Sequence, residues 1–305
     1  MLSRILGDIA KAMRSSGDVL GILGGFMDSL KYERSLRERP RGVVEIDAKR
    51  FSRAIVVGDI HGDLETLAQI LETLDLERSL DERTIMIFLG DYVDRGDKQV
   101  ETLLLVARLK SIYGDRIVTL RGNHEPPDTL PVYPHDFPRV LRSLYGPEGD
   151  RIYREAKKIF DLLPYAAVYR DKAVFLHGGI PVLSTIGCER GYRCILDADG
   201  SEKTLEEILW NDPTEDPVIE YAPSPRGAGY LWGEAVTRIF IEKTGLGYIV
   251  RGHEPAWEGY KLNHGSRVIT IFSRRGPPYY NAYAAALVID FQSFKGFSRE
   301  HLLIL

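Results

Sequence analysis

Five short apolar runs along the chain each end close to a glycine and a polar side chain. They cover residues 54–57, 84–89, 117–120, 173–176 and 248–250. Runs of this length, rich in β-branched residues and bounded by turn residues, predict buried strands. We therefore expect five strand ends to present aspartate, histidine or asparagine side chains along one rim.

Apolar residues at helical spacing lie between the first of these strands. Segments 64–76 and 100–109 each join two runs, which predicts a parallel sheet and an α/β fold. Further elements are predicted as helices at 151–163 and 205–210 and as strands at 43–46 and 302–305. Residues 181–225 are rich in Asp, Glu, Gly and Pro and are interpreted as loops over the site.

The first 40 residues carry two apolar faces at helical spacing, which predicts two helices that cover the core. A Pro-Arg-Gly break follows them. We divide the chain into an N-terminal helical segment, residues 1–42, and one catalytic domain, residues 43–305.

Metal-ligand side chains follow all five strands. In an open α/β sheet, ligands bind beyond the carboxyl ends of the strands, so polar residues placed there should converge. The candidate ligands are Asp59, His61, Asp91, Asn123, His177 and His253. Oxygen and nitrogen donors without thiolate favour Mn, with Fe or Zn as alternatives. Two such ions about 3.5 to 4 Å apart can activate water and hold a phosphoryl group. We predict a dinuclear metal site bridged by Asp91.

Each of these residues also has an ordinary explanation. An aspartate before glycine is usually a turn or helix cap, and a single histidine usually lies in the core or on the surface. Four of the seven histidines, however, stand within two residues of a glycine just after an apolar run. Chance placement does not account for that pattern.

Other residues of the same blocks suit phosphate chemistry. Arg95 and Arg226 are candidates to bind phosphate through two parallel hydrogen bonds, although a loop arginine such as Arg226 is more often solvated. His124 could protonate a leaving alcohol, and Asp94 could fix its tautomer. Glu125 and its counterpart Glu254 are interpreted as structural or orienting groups.

Composition narrows the class of protein. The net charge is −4 over 305 residues, so there is no basic footprint for nucleic acid. The N-terminus lacks an unbroken apolar run, which predicts neither a secretory signal nor a membrane span and favours the cytoplasm. Only four Asn and three Gln occur, a thermophile trait. Cys188 and Cys194 are interpreted as packed or half-exposed thiols, with a local disulfide as the alternative.

The blocks, taken in order, resemble a known family. Matching motifs are Gly58 to Gly62, Gly90 to Gly96, Arg121 to Glu125, Leu163 to Ala167, His177 to Gly179, Leu209 to Pro213, Arg226-Gly227, Arg251 to Glu254 and Ile271 to Ser273. This series resembles the PPP family of serine/threonine protein phosphatases, within the calcineurin-like metallophosphoesterases, possibly from a thermophilic prokaryote. The resemblance implies a β-sandwich of mixed sheets flanked by helices.

The resemblance also implies roles. Asp59, His61 and Asp91 would bind one metal ion, and Asp91 with Asn123, His177 and His253 the other. Phosphate would contact Arg95, Asn123, His124 and Arg226, with Asp94 orienting His124. A hydroxide bridging the two ions would attack phosphorus directly.

The chain departs from the family after Ser273. Eukaryotic members usually have Ala-Pro-Asn-Tyr-Cys there, whereas this chain reads Arg-Arg-Gly-Pro-Pro-Tyr-Tyr. Tyr279 and Tyr280 are both candidates for the tyrosine that reaches the site, and packing within the loop is the alternative. Arg274 and Arg275 either add positive charge near the phosphate or are solvated.

The leading hypothesis is a phosphatase that acts on phosphoserine and phosphothreonine in proteins, with a possible regulatory subunit. The nearest alternative is a small-molecule phosphoesterase, such as a dinucleoside polyphosphate hydrolase, which shares the first three blocks. A binding protein that keeps the fold without activity is disfavoured because every expected ligand is present.

Overall fold

The computed structural model describes residues 1–305. Its eleven helices are α1 (Leu2–Ala12), α2 (Ser16–Leu36), α3 (Leu64–Thr73), α4 (Leu76–Ser79), α5 (Gln99–Tyr113), α6 (Phe137–Tyr145), α7 (Glu148–Leu162), α8 (Val182–Gly187), α9 (Tyr192–Ile195), α10 (Glu202–Trp210) and α11 (Glu234–Thr244). Two 3-10 helices lie at Gly114–Arg116 and Arg299–His301. No helix is both long and apolar enough to span a membrane.

The strands are β1 (Val43–Glu45), β2 (Arg53–Val57), β3 (Thr84–Phe88), β4 (Ile117–Thr119), β5 (Ala166–Tyr169), β6 (Ala173–Leu176), β7 (Asp212–Pro213), β8 (Tyr221–Pro223), β9 (Tyr230–Trp232), β10 (Tyr248–Arg251), β11 (Tyr260–Asn263), β12 (Val268–Ile271), β13 (Ala285–Asp290) and β14 (Leu302–Ile304). All five strands predicted to carry ligands are present. Each observed strand lies within one or two residues of its predicted bounds.

The strands form two large mixed sheets and one small one. One large sheet has the order β14-β13-β2-β3-β4, and the other β1-β5-β6-β10-β12-β11. β2, β3 and β4 are parallel neighbours, as are β6, β10 and β12. By contrast, β13 pairs antiparallel with β2, and β5 pairs antiparallel with β6. The expectation of mixed sheets is confirmed, and the simpler reading of one parallel sheet was only partly right. The small sheet, β7-β9-β8, was not predicted.

Alternating side chains place the core between the two large sheets. In β2, Ala54 and Val56 pack in the cluster that contains Phe175 of the facing sheet. Ile55 and Val57 point the other way, into the cluster beneath the helices. This period of two is the geometry of a strand buried on both faces. The result is the predicted β-sandwich with helices on both outer faces.

The N-terminal helices cover one outer face. Helix α2 begins at the cap Ser15, whose side chain accepts a hydrogen bond from Asp18 N, and packs against α5 and α7. Val19 and Phe26 of α2 are fully buried there. Both N-terminal helices thus share a core with the remaining chain, and the domain boundary at residue 42 stays a prediction.

The segment 181–225 is more ordered than expected. It contains α8, α9, α10, β7 and β8, so its interpretation as loops was wrong. The helix predicted at its centre, residues 205–210, is present as part of α10. Helices of four and six residues are too short to show a period of 3.6 in sequence. Cys188 and Cys194 form a disulfide in this segment, which makes the local pairing, not free thiols, the observed state.

Candidate metal centre and active site

The carboxyl ends of five strands meet at one edge of the sandwich. Strands β2, β3 and β4 of one sheet lead to Asp59, His61, Asp91 and Asn123, and strands β6 and β10 of the facing sheet lead to His177 and His253. All six side chains are buried. The structure therefore brings every predicted metal ligand to one place, with three strands from one sheet and two from the other.

Several site residues hold a backbone conformation that side chains rarely adopt. His61, Asp91 and His253 have φ of 46°, 54° and 69°, and Asp94 and Arg95 have φ of 66° and 75°. Left-handed backbone at a residue other than glycine costs free energy of order 1–3 kcal/mol and clusters at functional sites. The turns after the strands are thus shaped to direct side chains inward.

His61 places one unprotonated nitrogen between two carboxylates. Its Nδ1 lies 2.8 Å from the carbonyl oxygen of Val93, which can only accept, so Nδ1 carries the proton and Nε2 is free to bind. Nε2 lies 3.2 Å from Asp91 Oδ2 and 4.0 Å from Asp59 Oδ2. Asp59 Oδ2 is buried without a hydrogen-bond partner. Burial raises the pKa of Asp59.

A second group of ring nitrogens, with one amide oxygen, lies on the other side of Asp91. The Nδ1–H of His177 donates to Leu89 O at 3.0 Å, which leaves its Nε2 2.9 Å from Asn123 Oδ1 and 3.4 Å from Asp91 Oδ1. His253 Nδ1 lies 3.0 Å from the same Asn123 oxygen. Burial opposes a proton on His177, but Asp91 outweighs burial and raises the pKa of His177 to about 9. The site therefore favours positive charge here.

The donor set fits two divalent cations. Buried carboxylates need a compensating charge, and each half of the site offers carboxylate oxygen and imidazole nitrogen facing a common point. Asp91 contacts both halves through different oxygens. Its position supports its predicted role as the bridging ligand.

Glu125 fixes the two loops that carry these ligands. Its carboxylate accepts hydrogen bonds from the backbone N–H of Asp91 at 2.8 Å, Tyr92 at 2.9 Å and Gly122 at 3.0 Å. Burial, with the nearby charge of Asp91, raises the pKa of Glu125 to about 7. At Gly122 a Cβ atom would lie 2.2 Å from Asp91 Oδ1, so only glycine allows the loops to approach this closely.

A pocket of about 550 Å³ opens beside the ligands. Arg95, His124, Arg226 and Tyr279 line it together with His61, Asp91, Asn123 and His253. His124 Nδ1 lies 2.5 Å from Asp94 Oδ2, which leaves Nε2 directed to the pocket side, 3.4 Å from Arg95 Nη2. The structure thus pairs His124 with Asp94 as the sequence predicted.

Arg226 also lines the pocket, and it is held there by a residue to which the sequence analysis assigned no role. Its Nε donates to Asp212 Oδ2 at 2.7 Å, and the buried Arg251 donates to Asp212 Oδ1 at 2.8 Å. Burial opposes ionisation of Asp212, but His253, Arg251 and Arg226 together lower its pKa to about 2. Asp212 lies in the matching motif Leu209 to Pro213, which was the only signal for it.

The loop after Ser273 places Tyr279 at the site. The ring of Tyr279 lies 5.8 Å from that of His61 and lines the pocket, whereas Tyr280 is 69% exposed. Burial raises the pKa of Tyr279 to about 12. Arg274 is buried and donates to His61 O at 3.1 Å, while Arg275 donates to Gln69. Arg274 is therefore not a solvated charge, whereas Arg275 is partly exposed.

Comparison with known proteins agrees with this geometry. Residues 52–256 match the calcineurin-like phosphoesterase family. The chain belongs to that family. Its members bind a dinuclear metal site, which is the site that the two ligand groups form here.

One relative of this phosphoesterase is a probable serine/threonine-protein phosphatase of Encephalitozoon cuniculi. The two are 34% identical over 221 residues, which cover 72% of this chain and 46% of the relative. The chain thus spans about half the length of that curated relative.

Solved structures share the fold. A protein serine/threonine phosphatase of Saccharomyces cerevisiae superposes with a TM-score of 0.76 at 21% identity, over 95% of this chain and 89% of that one. A cold-active protein-tyrosine phosphatase of a Shewanella species gives 0.54 at 18% identity, over 82% and 77%. A putative diadenosine tetraphosphatase gives 0.50 at 16% identity, over 86% and 96%. At these identities the likeness is one of fold.

Proposed function

We propose that this phosphoesterase removes phosphate from phosphoserine and phosphothreonine in proteins. The observation that carries the proposal is the juxtaposition of two ligand groups with His124, which is hydrogen-bonded to Asp94, in an open pocket. The 34% identity to a probable serine/threonine-protein phosphatase supports the substrate class.

The residues divide the work by position. Asp59, His61 and Asp91 would hold one ion, and Asp91, Asn123, His177 and His253 the other. Bound divalent ions would lower the pKa of a water molecule and neutralise phosphate charge. Manganese is proposed first, with iron or zinc as alternatives, because the donors are oxygen and imidazole nitrogen.

The remaining residues act on the phosphate and the leaving group. Arg95 and Arg226 both line the pocket, so a phosphate bound there would accept hydrogen bonds from both guanidinium groups. Asn123 would add its side-chain amide to that contact. His124 would give a proton to the leaving oxygen, and Asp94 keeps the Nδ1–H of His124 in place so that Nε2 faces the substrate.

The pocket also suits a peptide. Its outer rim carries Leu130, Val132, Tyr133 and Trp210, and Tyr133 is 93% exposed. A protein chain could lie across such an open apolar rim while one phosphorylated side chain enters. A regulatory subunit, a cytoplasmic location and the absence of nucleic-acid and membrane partners stay predictions.

The decisive experiment compares two substrates on metal-stripped protein with and without added Mn²⁺. We expect Mn²⁺-dependent phosphate release from a phosphoserine or phosphothreonine peptide to exceed release from a dinucleoside tetraphosphate. Preference for the nucleotide would keep the metal chemistry and replace the substrate class by the small-molecule alternative. No metal-dependent release from either substrate would overturn the proposal.

A separate prediction concerns Arg226. We expect Arg226→Ala to lower kcat/KM for the phosphopeptide about 10- to 100-fold, because charge-assisted hydrogen bonds contribute about 1.5–3 kcal/mol each. The fold should survive because Arg251 still pairs with Asp212. Steady-state phosphate release measures the effect. Arg238→Ala, on an exposed face of α11, is the matched control. An unchanged kcat/KM in Arg226→Ala would show that the guanidinium serves Asp212 alone.

A further inference from the structure

A second histidine shares the carboxylate that orients His124. His135 Nδ1 lies 2.7 Å from Asp94 Oδ2, the same oxygen that His124 Nδ1 approaches to 2.5 Å. The far nitrogen of His135 lies 2.9 Å from the hydroxyl of Tyr153 on α7. The His135 side chain is 13% exposed, so these contacts are largely shielded from water. A continuous chain therefore runs from Tyr153 through His135 and Asp94 to His124.

The direction of each hydrogen bond follows from Asp94. An ionised carboxylate only accepts, so both imidazoles present Nδ1–H to it, and the Tyr153 hydroxyl donates to the remaining Nε2 of His135. The other carboxylate oxygen, Oδ1, accepts the backbone N–H of Asp136 and of Phe137, each at 2.9 Å. Residues 135–137 thus supply three of the four N–H groups that hold Asp94.

The same geometry argues against a third metal ion at this cluster. Nitrogen and oxygen ligands that surround one zinc-like ion at about 2.0–2.2 Å are separated by roughly 3.3 Å. The two nitrogen-to-oxygen distances here, 2.5 and 2.7 Å, are those of hydrogen bonds instead. Protons, not a cation, connect these three side chains.

The pairing has a consequence for proton transfer. An Asp94 oxygen that already accepts from His135 is a weaker acceptor for the His124 proton. The carboxylate also has one fixed orientation because Oδ1 is tied to the backbone. Burial raises the pKa of Asp94, but hydrogen bonds from His124 and His135 outweigh it and hold that pKa far below the usual range. Asp94 therefore stays ionised and accepts the Nδ1–H of both imidazoles.

We propose that His135, fixed by Tyr153, is a positioning residue that holds Asp94 and, through it, keeps Nε2 of the His124 ring directed to the leaving oxygen of the substrate. The inference rests on the proposed phosphatase function. In that step the bond from phosphorus to the leaving oxygen breaks with its electron pair on oxygen. The oxygen of a hydroxide, formed from water by loss of one proton to solvent, becomes bonded to phosphorus and keeps its remaining proton in the phosphate product. The leaving oxygen takes the Nε2 proton, His124 becomes neutral, and Asp94 remains an anion.

A role in leaving-group protonation differs from a structural role in what it affects. Poor leaving groups need the proton, whereas good ones depart as anions with little help. A loss of packing or of substrate binding would reduce turnover of both kinds alike. The ratio of turnover on two substrates that differ only in the leaving group therefore reports the proposed role alone.

The test uses Mn²⁺-loaded full-length protein with phenyl phosphate and p-nitrophenyl phosphate. We expect His135→Ala to lower kcat on phenyl phosphate about 10-fold and on p-nitrophenyl phosphate less than about threefold, since one buried hydrogen bond contributes about 0.5–1.5 kcal/mol. His135→Asn, which keeps an N–H donor near the Nδ1 position, should recover most of the lost ratio. Tyr153→Phe should shift the ratio in the same direction by a smaller factor.

Tyr145→Phe is the matched control for Tyr153→Phe, because Tyr145 is also half-buried and its hydroxyl donates to Met13 O away from the site. Equal losses on the two substrates in His135→Ala, or no loss, would overturn the inference. Absence of turnover by the wild-type protein on both substrates would instead show that the proposed function has failed. Metal content measured on each variant should match the wild type, and a fall in His135→Ala would assign the residue to metal retention.

Discussion

Replacing Asp91 with asparagine is expected to abolish phosphate release, with a loss of at least about 10³-fold in kcat, and to lower the bound metal below two ions per chain. Asp91 Oδ2 lies 3.2 Å from His61 Nε2, and Oδ1 lies 3.4 Å from His177 Nε2. Asp91 is the carboxylate common to the group that contains His61 and the group that contains His177 and His253. Metal charge stabilises a phosphoryl transition state by several kcal/mol, and each 1.36 kcal/mol is about tenfold in rate.

The amide in this variant keeps the shape of the side chain and one oxygen, so the backbone contact from His124 N at 2.9 Å to Oδ1 can persist. Elemental analysis of the purified variant and phosphate release from a phosphopeptide are the two measurements. Asp97→Asn is the matched control, because Asp97 is exposed in the same loop. Full activity in Asp91→Asn would exclude Asp91 as the bridging ligand, and full metal content without activity would move its role to the chemistry.

The main features of the site were predictable from local sequence. Each ligand follows a buried β-branched strand within a few residues, and such strands are readable because both faces are apolar. Gly122 and its counterparts beside the ligands signalled close approach of backbones, which the contact of Gly122 with Asp91 explains. Local patterns therefore predicted the candidate ligands that the structure brings together and, with motif order, the fold.

Residues whose roles depend on contacts with distant parts of the sequence were not predictable. His135 follows no apolar run and has no glycine beside it, so nothing local separates it from a surface histidine. Its role appears only when α6 begins at Phe137, because the turn before that helix meets Asp94. The choice between Tyr279 and Tyr280 likewise depends on how one loop folds back over His61. Such placements are set by tertiary contacts, which a single sequence does not display.

The small sheet shows the same limit. Strands β7, β8 and β9 have two or three residues each, too few to establish alternation. Yet this sheet holds Asp212 beside Arg226 and so shapes one wall of the pocket. Substrate-binding detail thus depends on the least regular part of the sequence.

The second large effect is expected at His124. We expect His124→Asn to lower kcat on a phosphoserine peptide by about 10²- to 10⁴-fold with little change in KM, because positioned proton transfer contributes rate factors of that size. Asparagine can donate an amide N–H hydrogen bond to phosphate but cannot give up a proton to a leaving alkoxide. Its backbone N–H still donates to Asp91 Oδ1, so both ions should remain bound.

Metal content separates this variant from Asp91→Asn. His124→Asn should retain two ions and lose turnover. Asp91→Asn should lose turnover and hold fewer than two ions, so the pair of variants distinguishes proton transfer from metal binding. Kinetics on the phosphopeptide and elemental analysis provide the comparison, with His301→Asn near the C-terminus as a histidine control outside the site. A loss below about tenfold in His124→Asn would mean that the leaving oxygen takes its proton from another donor. The hydrogen-bonded link from His135 through Asp94 would then have no proton donor to position. That result would contradict both the role of His124 as proton donor and the role of His135 as its positioning residue.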